Sequence, residues 1–155
     1  MRRVSSFVAL IAVAAASAGI AIAGPTPSSP GSQIAAMMAT VQTFKIGAAN
    51  NGVCSGPVRQ CGTITFTPTG DKTRVVISIT GEPTGAIEPS HIHKGVCGHP
   101  GSVIYPLTDV VAGHSTTVVN APISKIVVSG DSVNIHRSAA QLNQYMACGN
   151  LSMAM

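Results

Sequence analysis

Charged side chains are scarce in this sequence, where Asp, Glu, Lys and Arg together account for 9% of the 155 residues. No basic run occurs. Once Arg2 and Arg3 are set aside, seven of the nine lysines and arginines remain against five acidic residues. That balance gives no electrostatic footprint for nucleic acid, so we expect no nucleic-acid partner.

Several catalytic signatures are also missing. The sequence has no serine-nucleophile motif, no phosphate-binding loop and no paired-carboxylate site. Glu82 and Glu88 flank a proline-rich loop, and we expect both to be solvated. The histidines and cysteines are therefore the residues to examine for chemistry.

Internal repeats and a sustained helical period are absent as well. Thr, Val, Ser, Gly and Ile are plentiful instead, which favours strands and turns. Short alternating segments between turn residues predict about seven to nine antiparallel strands in one all-β domain, a sandwich or a barrel. The predicted strands are Val41–Ile46, Gly62–Pro68, Thr73–Thr80, the stretch from Ser90 to Lys94, Val103–Leu107, Thr116–Asn120, Ile123–Val128, Ser132–His136 and Met146–Met153.

The N-terminus has the pattern of an export signal. Arg2 and Arg3 precede the uncharged segment Phe7–Ile22, and Ala21-Ile22-Ala23 is a small-x-small cleavage pattern. The apolar run is short for a membrane anchor, which needs ~20 residues. We therefore expect a cleaved signal peptide over residues 1–23, a flexible linker over 24–33 and the domain over 34–155. The protein would be secreted or periplasmic, with no membrane association after cleavage.

Four cysteines in an exported protein predict two disulfides. Three pairings are possible. Cys54 and Cys61 are seven residues apart around a Ser-Gly-Pro loop, which suits a local bridge and leaves Cys97 with Cys148. The second bridge would tie a histidine-rich loop to the last strand. Metal ligation by the cysteines is the alternative, and the export signal disfavours it.

Three of the five histidines lie within residues 91–99. His91 and His93 would point to the same face of a strand, because side chains alternate with period two. His136 lies on a later predicted strand, and if the two strands are neighbours, the three imidazoles converge. Three histidines suit copper or zinc. His99 is the candidate fourth ligand, and separate surface histidines are the alternative.

Five motifs, in order, resemble the copper/zinc superoxide dismutase superfamily over most of the predicted domain. They are Gly56-Pro57-Val58 with Gly62–Phe66, Val76–Gly81, Ser90-His91-Ile92-His93 with Gly95, Asn134-Ile135-His136, and Ala147-Cys148-Gly149. The resemblance implies a Greek-key immunoglobulin-like β-sandwich. It also implies copper held by His91, His93 and His136, with His99 as fourth ligand or proton relay, and it supports the Cys97–Cys148 bridge.

Two departures from that superfamily bear on activity. The segment from Cys97 to Leu107 leaves almost no room for a zinc-binding loop, so we expect no zinc site. Tyr145 stands where the superfamily has an arginine that attracts superoxide. Copper-dependent superoxide dismutation at a low rate is the first functional hypothesis. The second is a non-enzymatic secreted module for copper storage or delivery, or a binding or structural domain similar to the chordin-type (CHRD) domain.

Overall fold

The computed structural model describes residues 40–56 and 60–152 of the chain. The predicted signal peptide, the linker and the start of the predicted domain lie outside these ranges. Pro57, Val58 and Met153, which belong to two of the patterns above, also lie outside them. No helix in the described ranges is long and apolar enough to cross a membrane.

The described part of the chain forms eight strands and one short helix. These elements are β1 (Gln42–Ala48), β2 (Cys61–Thr69), β3 (Lys72–Thr80), β4 (Ile87–Lys94), β5 (Val103–Val111), β6 (His114–Val119), α1 (Ile123–Ile126), β7 (Asp131–His136) and β8 (Tyr145–Leu151). The predicted hairpin of β2 and β3 is confirmed, with Ile64 paired to Ile77 near its middle.

All strand pairs are antiparallel, and they close into a barrel in the order β1-β2-β3-β6-β5-β4-β7-β8. The ring closes where Gly47 of β1 pairs with Cys148 of β8. The predicted all-β class, antiparallel pairing and strand number are confirmed. The architecture is a closed barrel, one of the two architectures that the strand pattern predicted, and it is not clearly the Greek-key sandwich that the superfamily resemblance implied.

Alternating side chains fill the barrel. Val75, Ile77 and Ile79 of β3 are buried on one face, as their spacing predicted. Ile92 of β4 and Ile135 of β7 meet the same core. Full burial of a side chain of this size contributes roughly 1.5–3 kcal/mol. The alternation therefore fixes which face of β4 and β7 is left for polar side chains.

The predicted strand at Ile123–Val128 is wrong, because this segment contains the helical turn α1. Ile123 and Ile126 are three residues apart and both are buried, which fits one face of a helix. The hydroxyl of Thr73 donates to the carbonyl of Ala121 at 2.9 Å. That bond ties the turn to the barrel end where β3 begins.

The expectation that Glu88 is solvated is also wrong. Glu88 is 1% exposed, on the same face of β4 as Ile92. Its Oε1 accepts a hydrogen bond from Nε2 of buried Gln60 at 2.6 Å. The start of β4 therefore places a carboxyl group inside the end of the barrel.

Both predicted disulfides are present, Cys54–Cys61 and Cys97–Cys148. The second joins the β4–β5 loop to β8 across 51 residues of sequence. Two disulfides indicate an oxidising, extracytoplasmic environment.

Candidate metal centre

Three histidines meet on the outer side of β4 and β7. Ile92 points into the core, so His91 and His93 on either side of it point outward. His136 points outward for the same reason, because its neighbour Ile135 lies in the core. Since β4 and β7 are adjacent in the barrel, the two strands bring the three imidazoles together.

The histidine cluster is compact. One ring nitrogen from each of His91, His93 and His136 lies within 4.8 Å of the other two. His91 Nδ1 is 3.0 Å from His136 Nε2. His93 and His136 are 4% and 2% exposed, whereas His91 is half-buried. The cluster is therefore enclosed on two sides and accessible beside His91.

Backbone carbonyls fix the orientation of two of the rings. His93 donates from Nδ1 to the carbonyl of Gly101 at 2.9 Å, and His136 donates from Nδ1 to the carbonyl of Leu142 at 2.6 Å. Each bond leaves the lone pair on Nε2. His93 Nε2 is buried and has no hydrogen-bond partner among the described residues. A buried, unpaired nitrogen facing two other imidazoles is the arrangement that a metal ion would satisfy.

The loop that carries Gly101 is itself held in place. Ser132 donates a hydrogen bond from its hydroxyl to the carbonyl of Gly95 at 2.7 Å. The backbone N–H of Cys97 donates to Oδ1 of Asn150 at 2.8 Å, next to the disulfide that joins this loop to β8. Gly95 has φ 91°, and a Cβ there would collide with the carbonyl oxygen of His99. The loop therefore presents the Gly101 carbonyl to His93 in one defined position.

Burial lowers the pKa of His91 and His136 below the ordinary value of 6.5. For His91, the nearby His93 lowers the pKa further, and Asp109 opposes the shift. For His136, the bond to the Leu142 carbonyl raises the pKa, while His91 and His93 lower it. Both rings are thus kept neutral near pH 7, and a metal ion need not displace a proton from them.

Tyr145 forms part of the wall of the site. It pairs with His136 across β7 and β8, and its ring centroid lies 4.8 Å from that of His136 and 6.2 Å from that of His93. The side chain is half-buried and carries no positive charge. Tyr145 is therefore an aromatic neighbour of two candidate ligands.

His99 and His114 lie outside the cluster. His99 is exposed in the turn between β4 and β5, and His114 is exposed at the start of β6. The group of three that could hold a metal ion does not include either of them. The role of His99 as fourth ligand or proton relay stays a prediction.

Sequence reasoning missed the groups that orient the ligands. The carbonyls of Gly101 and Leu142 are backbone atoms, so residue identity carries no signal for them. Asn134 was also missed as a supporting residue. It is fully buried opposite His91 and donates from Nδ2 to the Ser132 hydroxyl at 3.0 Å, which continues the chain of bonds to Gly95.

Three imidazoles form a nitrogen donor set of the kind that binds first-row transition metals. The structure thus places His91, His93 and His136 where they could hold one metal ion. No protein-family model, curated protein or solved structure matches this chain.

Proposed function

We propose that the protein binds one copper ion through His91, His93 and His136 outside the cytoplasm, and that this site dismutates superoxide slowly. The observation that carries the proposal is the buried, unpartnered Nε2 of His93, which faces the other two imidazoles. Nε2 of His93 has no partner among the described residues, whereas Nδ1 of His91 and Nε2 of His136 share a hydrogen bond at 3.0 Å, which a bound metal ion would replace.

The donor set favours copper over the other divalent metals of its row. Imidazole suits copper and zinc, and Cu²⁺ binds a given nitrogen site more tightly than Zn²⁺. The two disulfides support an oxidising compartment, where Cu²⁺ is a stable form. Carbonyl bonds to His93 and His136 pre-orient the two rings, as supporting partners of metal-binding histidines usually do.

Bound copper would supply one-electron chemistry between Cu(II) and Cu(I), by which one superoxide is oxidised and the next is reduced. The half-buried His91 leaves an open side through which a small anion can approach. Tyr145 adds no positive charge at this opening, so electrostatic attraction of superoxide is weak. We therefore expect a rate well below the diffusion limit.

Two further features support a superoxide dismutase-like origin. The spatial order β3-β6-β5-β4 matches one Greek-key unit, because three hairpin-connected strands lie beside a fourth that precedes them in the chain. The Cys97–Cys148 bridge joins the loop after the His-x-His motif to the Ala-Cys-Gly motif of the last strand. Both agree with the motif order in the sequence.

The second candidate is a copper-binding module without enzymatic turnover, for copper storage or delivery. The packing of Tyr145 against His136 favours this alternative, because a neutral ring occupies a wall of the site where a substrate-guiding cation would be useful. The exposed position of His99 also leaves the cluster without a nearby fourth histidine.

The test is copper titration of the purified protein, followed by electron paramagnetic resonance and a superoxide assay. We expect one Cu²⁺ per chain with a nitrogen-rich spectrum. His93→Ala should weaken binding by at least about 100-fold, which is the loss of about 2.7 kcal/mol. The matched control is His114→Ala, which removes an exposed imidazole and should leave copper binding unchanged.

The outcomes separate the two candidates. Stoichiometric copper with measurable, His93-dependent turnover supports the dismutase, whereas copper binding without turnover supports the storage or delivery module. Failure to take up copper, or equal binding by the wild type and His93→Ala, would overturn both.

A further inference from the structure

The end of the barrel next to the β3–β4 connection contains three buried oxygen atoms without hydrogen-bond partners. They are Oε2 of Glu88, Oε1 of Gln60 and Oε2 of Glu82, and none of them has a partner within residues 40–56 and 60–152. Glu88 and Gln60 are each 1% exposed. Their side chains are joined by the bond from Gln60 Nε2 to Glu88 Oε1, so the unpaired amide oxygen of Gln60 lies beside the carboxyl group.

Burial of these oxygen atoms without partners is energetically unfavourable. An isolated carboxylate taken out of water loses many kcal/mol of solvation unless a partner compensates it. Among the described residues, Glu88 has only the amide of Gln60 as a partner, and Glu82 is a second acidic group close enough to affect it. The one ion pair among the described residues, Lys94–Asp131, involves neither glutamate.

Protonation of Glu88 leaves part of this group unpaired. A neutral Glu88 could donate its O–H to the adjacent amide oxygen of Gln60, but Oε2 of Glu82 would still lack a partner among the described residues. A cation beside Glu88 and Gln60 would give both of their unpaired oxygens a partner, and Glu82 is close enough to add a second negative charge to the same region.

An access route reaches the same group. Glu88 lines a cleft of about 620 Å³, which also touches Pro83, Ala86, Arg137, Ser138 and Met146. Arg137 is the cation in this lining, yet no ion pair joins it to Glu88 among the residues described. The cleft therefore brings solvent up to the side chain of Glu88, whose unpaired oxygen is covered in this structure.

We propose that Glu88, Gln60 and Glu82 form a second metal site, which binds a hard divalent cation of the Ca²⁺ type. Two carboxylates and an amide carbonyl are oxygen ligands of the kind Ca²⁺ takes, with water completing its six to eight positions. The three histidines do not compete for this ion, because imidazole favours transition metals. The site is thus separate from the histidine cluster and does not depend on copper binding there.

The experiment measures thermal unfolding of the purified protein, with Ca²⁺ as the probe. Millimolar CaCl₂ should raise Tm by about 4 °C or more relative to EGTA, because an ion that binds only the folded state stabilises it. Isothermal titration should give one Ca²⁺ per chain. Glu88→Gln keeps the shape of the side chain and should abolish both effects, while copper titration stays as in the wild type.

Two further variants make the result decisive. Glu82→Gln alters a residue that is only half-buried, and it should weaken Ca²⁺ binding even if Glu88→Gln folds poorly. Asp71→Asn removes the same charge from an exposed turn and should leave Ca²⁺ binding intact. The proposal is overturned if wild-type Tm is equal in CaCl₂ and EGTA and titration shows no heat, or if Asp71→Asn lowers Ca²⁺ binding as much as Glu82→Gln does.

Discussion

Strand β4 carries a buried polar site on each of its faces, and the two sites differ in how they are held. On the outer face, His93 is anchored through Nδ1 to a loop carbonyl, and its Nε2 has no partner among the described residues. On the inner face, Glu88 is held by one amide from Gln60 and keeps one free oxygen. The first site depends on loops outside the barrel, and the second on the barrel itself.

Because the two sites are held by different contacts, they should respond to different substitutions. A buried imidazole with one nitrogen unpaired is less costly than a buried, uncompensated carboxylate, so the outer site can persist without metal. A buried carboxylate needs a charge partner or a proton. Changes to the β4–β5 loop should therefore weaken transition-metal binding and leave Ca²⁺ binding intact, whereas changes at the barrel end should weaken Ca²⁺ binding and leave transition-metal binding intact.

Removal of the long disulfide should have the largest effect. The loop-entropy relation gives about 4 kcal/mol of stability for Cys97–Cys148, which spans 51 residues, and about 2.4 kcal/mol for Cys54–Cys61, which spans seven. Replacing Cys97 and Cys148 by Ala should also weaken copper binding, because the loop that supplies the Gly101 carbonyl loses its anchor. Urea unfolding and copper titration measure the two effects.

The paired replacement of Cys54 and Cys61 by Ala is the matched control. It should destabilise the protein less and leave copper affinity unchanged, since this bridge lies outside the histidine cluster. Equal losses of copper affinity in both double variants would show that the outer site responds to general destabilisation and not to its own loop.

The sequence allowed the outer site to be predicted more fully than the inner one. His91, His93 and His136 stand out by residue type, and alternation along a strand is enough to place the first two on one face. Cysteine number and spacing likewise predicted both bridges. These features depend on local pattern and on side-chain identity, which a sequence displays directly.

The inner site and the barrel closure depend on contacts that no local pattern reveals. Glu88 is buried because Gln60, 28 residues earlier, supplies its hydrogen bond. The ring closes through Gly47 and Cys148, about a hundred residues apart. The strand predicted at Ile123–Val128 was wrong for another reason. A short apolar run fits a strand or a helical turn equally well, and here Ile123–Ile126 forms a helical turn.

A glycine pair tests whether the outer loop positions His93. Gly95 and Gly130 both have positive φ, 91° and 89°, but a Cβ at Gly95 meets the His99 carbonyl, whereas a Cβ at Gly130 meets nothing within 4 Å. Gly130→Ala should cost only the backbone strain, about 1–2 kcal/mol. Gly95→Ala should cost roughly 1–2 kcal/mol more and should also weaken copper binding.

Chemical denaturation and copper titration of both variants provide the measurement. The informative quantity is copper affinity at conditions where both variants are folded. If Gly95→Ala binds copper as tightly as Gly130→Ala, the loop does not position His93, and the strands alone define the outer site.

The smallest expected effect is a difference in how the metal-free protein responds to pH. The pKa of His91 and His136 is lowered, so the unfolded state binds more protons, and the free energy of unfolding decreases as pH falls below 6.5. The pKa of Glu88 is raised by burial, despite the opposing bond from Gln60. Its folded state binds more protons, so its contribution to stability is present below pH 4.5 and is lost as pH rises through the raised pKa.

Urea unfolding in chelator between pH 4 and 8 separates the two contributions. Relative to the wild type, Glu88→Gln should gain stability as pH rises above 4.5, because it removes a carboxyl group that must ionise inside the barrel. His136→Gln should instead flatten the decline of stability below pH 6.5. If the free energy of unfolding of Glu88→Gln follows that of the wild type at every pH in chelator, the carboxyl group is already compensated without a cation. The contrast drawn between the two faces of β4 would then be wrong.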